Sequence, residues 1–238
     1  VSNLSATDFE FVLGCGVGDG SFSLISTKRG DRNYYYPRLK ITHGVEQVDY
    51  LRWKADRINS IFNRTTPVSY VFKKESREGW KDFEGYEYKF THSDLRPFYD
   101  LLYPNLQGSK KITRELLAEL NGVPLGLLFM DDGSGGLYLE QNNRKLKSGY
   151  KRYEYLVPRI EFATNGFTSE CVTLLADWIA SVSGCGTRIK QKTNRICIVQ
   201  KDCYKFRDFI DPYVPISCMR YKLDLETVKS FKRVLTGQ

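Results

Sequence analysis

Apolar and polar residues alternate with period two over 20–29, 34–42, 68–75, 85–91, 135–141, 150–163, 186–193 and 195–201, the pattern of half-buried β-strands. Two stretches have helical spacing instead: "VEQVDYLRWKADRINSIF" at 45–62 and "TSECVTLLADWIASV" at 168–182. Two more are small or apolar almost throughout before turning into strands, "LGCGVGDGSFSL" at 13–24 and "GLLFMDDGSGGL" at 126–137. Thr7 and Glu10 have capping-box spacing ahead of the first, Pro124 suits the first turn of the second, and Gly20 and Gly133 suit positions just past a helix end.

These pieces recur in order. The two apolar helices both end in Asp-Gly-Ser, at Asp19 and Asp132; "THGV" at 42–45 is echoed by "TNGF" at 164–167; "FYDLLYP" at 98–104 is echoed by "FRDFIDP" at 206–212. Each round closes on a lysine, Lys111 or Lys222, 92 and 90 positions after its aspartate. The chain therefore reads as two copies of one unit, 1–118 and 119–238, each running helix, two strands, helix, two strands, helix.

The first helices of the two units carry an oddity. Gly14, Gly16 and Gly18 weaken a helix, and a carboxylate at its C-terminal end meets a like partial charge. Both features make sense if the two helices pack on each other. Gly14 and Gly18 lie on one face and allow close approach, with Gly126 in the partner helix. Asp19 and Asp132 then meet at the seam, where a hard divalent cation reverses the sign of their repulsion.

Composition narrows the partner. A net charge of +8 on 238 residues points to a polyanion, nucleic acid first. No apolar run is long enough to span a membrane, and no dense Lys/Arg cluster accompanies an amphipathic helix. Six cysteines without a CxxC pair, and only two histidines, exclude a zinc framework and read as reduced thiols of an intracellular protein. No secretory signal opens the chain, and since it starts at Val1 a lost targeting segment stays open.

The two Asp-Gly helices resemble the paired signature helices of LAGLIDADG homing endonucleases in their single-chain, monomeric form. "PLGLLFMDDGS" is an especially close match, and "PISCMRYKL" near the C-terminus is also similar. The resemblance covers nearly the whole chain. It implies an α+β fold of two pseudo-symmetric αββαββα repeats, each with a four-stranded antiparallel saddle-shaped sheet, packed through the motif helices. It implies hydrolysis of one phosphodiester per DNA strand across the minor groove, leaving short 3′ overhangs, with Mg²⁺ as cofactor, Mn²⁺ as substitute and Ca²⁺ supporting binding without cleavage. Carried over by position, Asp19 and Asp132 bind metal, with the Gly18 and Asp131 carbonyls as further contacts. Lys111 and Lys222 stabilise charge on the phosphate or position water, Lys110 competing with Lys111. His43 and Asn165 stand where a polar residue, often Gln, holds the water network; this departure makes the half-sites unequal.

The strands would then read a long target, pseudo-palindromic or asymmetric, through alternating residues that reach phosphates and base edges. In the first unit these are Ser23, Ile25, Thr27, Arg29, Tyr34, Tyr36, Arg38, Lys40, Lys74, Glu87 and Lys89. In the second they are Tyr138, Glu140, Arg188, Lys190, Lys192, Arg195 and Cys197. The match before Asn165 puts Phe162 at the place of Lys40, so either a bulge brings Arg159 and Glu161 to this face or the match is one residue out. The basic stretch 142–152 is expected to join two strands and touch phosphates. Rival readings are an RNA maturase acting on a host intron, a silent DNA-binding protein of the same fold, and an endonuclease domain from an intein. An organelle or a microbial cytoplasm fits equally.

Overall fold

The computed structural model describes residues 4–29, 31–74, 82–104, 109–146 and 149–229, except for the side chains of 29, 142–146, 149–152 and 229. Helix α1 (Ala6–Val17) leads into β1 (Ser21–Arg29), β2 (Arg32–Gly44), α2 (Val48–Ile61), β3 (Val68–Lys73), β4 (Phe83–Thr91) and α3 (Arg96–Leu102). After a short helix α4 (Arg114–Ala118) the order recurs: α5 (Gly122–Asp132), β5 (Gly133–Leu146), β6 (Gly149–Phe162), α6 (Ser169–Ser183), β7 (Thr187–Lys190), β8 (Arg195–Ile198) and α7 (Cys203–Ile210). The first sheet has the order β1-β2-β4-β3 and the second β7-β8-β6-β5, both antiparallel. A two-residue strand, β9 (Val228–Lys229), adds to the second sheet in parallel with Leu137 and Tyr138 of β5, which the alternation pattern did not announce. The architecture is α+β, as the repeated helix–strand units imply.

The motif helices are buried nearly all round because α1 packs on α5. From Phe11 to Val17 every residue of α1 is buried, and so is every residue from Pro124 to Met130 of α5. Gly14 is needed at the crossing, where an added Cβ would press on the backbone of Pro124 and on Leu127. Gly126, by contrast, makes room for Tyr213 rather than for α1. Gly20 and Gly133 serve close approach: a Cβ there would strike the carbonyls of Cys15 and Phe129, and neither adopts a left-handed backbone. The recurring Phe-x-Asp motif supplies core anchors. Phe98 stacks on Phe22 and packs at a tilt against Phe9, and Phe206 makes edge contacts with Phe129 and Phe162.

Helix starts are set by side-chain caps. Ser5, rather than a Thr7–Glu10 box, caps α1 by accepting from the Asp8 amide, and Thr168 caps α6 by accepting from the Cys171 amide. Thr168→Ala is expected to cost about 1 kcal/mol, read as a lower urea midpoint at unchanged slope; an unchanged midpoint would show the cap contributes nothing. All six cysteines are free, and burial pushes the Cys15 thiol up to about 12, which makes it unreactive. Among the described residues no helix is long and apolar enough to cross a membrane.

Register aligns the two halves residue by residue. Ser21 faces Lys40 in the first hairpin and Gly133 faces Phe162 in the second. With Gly20 and Gly133 superposed, Phe162 stands where Ile41 does, Glu161 where Lys40 does, Arg159 where Arg38 does, and Thr164 where His43 does. The match of "THGV" to "TNGF" is thus one residue out. The same alignment sets "KADRI" of α2 against "LADWI" of α6, so Lys54 corresponds to Leu175 and Tyr50 to Cys171.

Candidate active site and nucleic-acid interface

The C-terminal ends of α1 and α5 lie side by side and deliver Asp19 and Asp132 to one electrostatic neighbourhood. Burial, then the charges of Asp19 and Asp131, push the Asp132 carboxyl up to about 7. Burial and Asp131 also raise Asp19. Each helix end is answered by a lysine. Lys110 Nζ donates to the carbonyls of Val17 (3.2 Å), Gly18 (2.6 Å) and Gly20 (3.0 Å). Lys222 Nζ donates to those of Met130 (2.5 Å) and Asp131 (3.0 Å). The two are pseudo-symmetric, and each ammonium offsets the negative end of a helix dipole. Burial pulls both lysines below their ordinary range.

This placement corrects the assignment of Lys111. Buried Ile112 anchors the segment, alternation turns Lys110 inward with it, and Lys111 projects to solvent. The Gly18 and Asp131 carbonyls each accept from a lysine, so at least one lone pair of each is taken by an ammonium. Lys222 arrives on a 3-10 turn, Ser217–Leu223, whose passage needs the bare backbone of Gly135 against the Lys222 carbonyl.

Asp131 departs furthest from its expected role as a carbonyl donor. Its side chain crosses from the second half into the first, into space left open by Gly18. Oδ1 accepts from Lys54 Nζ at 2.6 Å and from Tyr50 Oη at 2.9 Å; Oδ2 accepts from the Asp19 amide at 2.9 Å. Burial alone would raise Asp131, but Lys54, through its charge and its hydrogen bond, and the Asp19 amide outweigh it and hold the carboxyl below its usual range. The matching places in the other half hold Gly18, Leu175 and Cys171, so the network exists on one side only. Neither Lys54 nor Tyr50 was among the expected site residues. The comparison of "KADRI" with "LADWI" would have exposed the lysine as an unpaired charge on an apolar face.

His43 lies on the helix side of β2, in phase with Leu39 and Ile41, and is buried beneath Asp19. Its Nδ1 is 3.1 Å from Gln47 Oε1 and 3.6 Å from Asp19 Oδ2, and its Nε2 is 3.3 Å from Lys54 Nζ. Burial and Lys54 lower it to about 4. Asn165 does not reach this centre. It is exposed in a turn, while Thr164 at the matching position is buried and donates to the Asn194 carbonyl at 2.7 Å.

The charge balance carries a pH prediction. An aspartate raised from an ordinary ~3.9 to about 7 holds a proton in the folded chain that the unfolded chain has lost. That contribution is full below the unfolded value and is lost as pH rises through about 7. Buried His43, lowered from its usual ~6.5 to about 4, contributes the opposite slope over the same range, so the sign shows in a difference. In chelator-treated protein the melting temperature of Asp132→Asn should rise more steeply between about pH 4 and pH 7 than that of wild type, and Mg²⁺ should raise the wild-type value at the upper end more than at the lower. Equal effects of Mg²⁺ at both ends would show that the raised carboxyl does not face the cation.

The far sides of the sheets form the second feature. Cross-strand pairing puts Ser23 opposite Arg38, Ile25 opposite Tyr36 and Thr27 opposite Tyr34, all on one face. Arg29 pairs with Arg32 on the same row; its side chain lies outside the described residues. Lys40 faces Lys89, and Glu87 sits between their ammonium groups at 3.1 and 2.5 Å. Lys74 falls one residue beyond β3 and, by alternation, on the other side; Ser69, Val71 and Lys73 share the face with Glu87.

In the second sheet the face carries Tyr138, Glu140, Arg159 and Glu161, so no bulge is required. Arg159 pairs with Glu140 and lies over the Tyr138 ring, 5.2 Å from its centroid. Glu161 faces Cys197 and takes Lys190 Nζ at 2.7 Å; Arg188 and Arg195 complete the row. Lys192 is not on β7 but in the turn before β8, because the strand ends at Lys190. Residues 142–146 and 149–152 do belong to the β5–β6 hairpin; residues 147–148, and the side chains by which the stretch would touch phosphates, lie outside the described residues.

The fold is shared with known proteins. The chain resembles the structure of the homing endonuclease I-WcaI bound to its DNA recognition sequence, with a TM-score of 0.62 at 20% identity over 94% of this chain and 88% of that one. It resembles I-DmoI G20S in complex with its target DNA in the presence of Mg, with a TM-score of 0.50 at 16% identity over 86% and 96%. Curated relatives include Protein RecA of Mycolicibacterium flavescens, 29% identical over 92% of this chain and 47% of the relative, and Protein RecA of Mycobacterium leprae, 27% identical over 92% and 28%. The chain thus spans about half or less of the length of the curated relatives it matches. The model of the LAGLIDADG DNA endonuclease family matches residues 9–206. With two motif helices packed side by side, their C-terminal acids and lysines brought together, the chain belongs to the LAGLIDADG DNA endonuclease family.

Proposed function

We propose that this chain is a site-specific, double-strand DNA endonuclease, working as a monomer of two halves, 1–118 and 119–238. The observation that carries this reading is the pairing of Asp19 and Asp132 at two lysine-capped helix ends, below a basic, alternating sheet face. Two carboxyls raised by burial and by neighbouring charge fit a divalent cation, whose binding would relieve their repulsion. Asp19 and Asp132 would hold Mg²⁺, which when bound supplies Lewis-acid activation of water and neutralises charge at the phosphate. Lys110 and Lys222 keep the helix ends from repelling the phosphate. His43 keeps its Nδ1 proton directed at Gln47 and Asp19 and so positions rather than acts as base.

The two reading faces differ, Lys40–Glu87–Lys89 against Lys190–Glu161–Cys197, which supports an asymmetric target. Cuts across the minor groove with 3′ overhangs follow from the family resemblance. The test is cleavage of a randomised plasmid library with Mg²⁺, Mn²⁺ or Ca²⁺, followed by sequencing of the ends. Defined cuts on both strands with Mg²⁺ or Mn²⁺, lost in Asp19→Asn/Asp132→Asn, are expected. DNA or structured-RNA binding without cuts, at adequate library coverage, would replace the nuclease by a binder or maturase.

A further inference from the structure

Asp19, His43 and Asp131 place three metal-ligand atoms within 4.8 Å of one another, the geometry of a second cation site beside the Asp19–Asp132 pair. The lone pairs say otherwise. A lysine ammonium only donates, so the 3.3 Å contact makes His43 Nε2 the acceptor and leaves the ring proton on Nδ1, toward Gln47. The imidazole then has no free lone pair for a metal. Asp131 Oδ1 already takes Lys54 and Tyr50, and Oδ2 takes the Asp19 amide. The side chains of Lys54 and Asp131 are both 0% exposed, so no water competes for these bonds. The ammonium also lies over the Tyr50 ring, 4.1 Å from its centroid.

We propose that Lys54 is the positioning residue of this centre: a built-in cation that aims Asp131 at the Asp19 amide, consumes the His43 lone pair, and so confines divalent metal to the oxygens of Asp19 and Asp132. It does not touch substrate. A divalent cation would then be held by the oxygens of Asp19 and Asp132 rather than by the donors of the first half. The pseudo-symmetric half needs no such device, since Gly18, Thr164 and Leu175 offer no competing ligands there. The inference rests on reading Asp19 and Asp132 as the metal pair.

The test uses the metal-free chain 1–238 titrated with Mn²⁺, with pulsed electron-spin-echo spectroscopy to detect nitrogen coupled to the ion. Wild type is expected to bind Mn²⁺ without nitrogen coupling. Lys54→Gln keeps a donor for Asp131 but removes the charge. It is expected to gain nitrogen coupling and to bind Mn²⁺ at least about tenfold tighter, the scale of losing a like charge a few ångströms away; adding His43→Ala should abolish the coupling. Nitrogen coupling in wild type, a measurement independent of whether the variant folds, would overturn the proposal, as would a folded Lys54→Gln without it. Failure of the underlying metal pair would show differently, as wild-type Mn²⁺ binding that survives Asp19→Asn/Asp132→Asn.

Discussion

Lys110→Met and Lys222→Met are each expected to slow DNA cleavage by about 10²–10³-fold, the usual cost of removing one preorganised donor from a charged centre, whereas Lys111→Met should cut like wild type. Each ammonium lies on the carbonyls at the end of a motif helix, within the field of the paired aspartates. Without it those carbonyls turn their partial negative charge toward the carboxylates and toward the incoming phosphate. Substrate affinity should change far less than rate, because the sheet faces hold the DNA. The check is single-turnover cleavage of a target recovered from the library, at saturating enzyme. A slow Lys111→Met beside a normal Lys110→Met would move the catalytic lysine to the exposed position.

The second large effect is on stability. Lys54→Leu alone should cost about 3–5 kcal/mol, because it leaves Asp131 charged and buried without its partner. Lys54→Leu/Asp131→Gly should recover most of that loss, less about 1 kcal/mol for a glycine at a helix end. The protein contains its own control: the symmetry mates of these two residues are Leu175 and Gly18, an apolar solution to the same packing problem. Urea midpoints of wild type, single and double variants decide it. A double variant as unstable as the single would mean that the ion pair holds the two halves together by more than mutual compensation.

Much of this molecule follows from the order of residues alone. Strand alternation, the recurrence of Asp-Gly-Ser and Phe-x-Asp, and the two apolar helices define two like units and place Asp19 and Asp132 at equivalent points, because each of these signals is local and periodic. The sheet face follows for the same reason: once Arg38 and Lys40 point one way, Leu39 and Ile41 must point the other. Single-residue choices are different. Whether Lys110 or Lys111 turns inward depends on Ile112 finding the core, whether Thr164 or Asn165 matches His43 depends on the hairpin register, Lys74 misses the face because the pairing of β3 gives that phase to Lys73, and Lys192 leaves it because β7 stops early. Asp131 reads in sequence as a neighbour of the metal ligand. Its bonds to Lys54, 77 residues away, and to the Asp19 amide, 112 away, come into being only when α1 and α5 cross. Local pattern dictates which residues can pair within a unit; the partner across the seam is decided by tertiary packing, since no periodicity connects one half's helix end to the other half's buried charge.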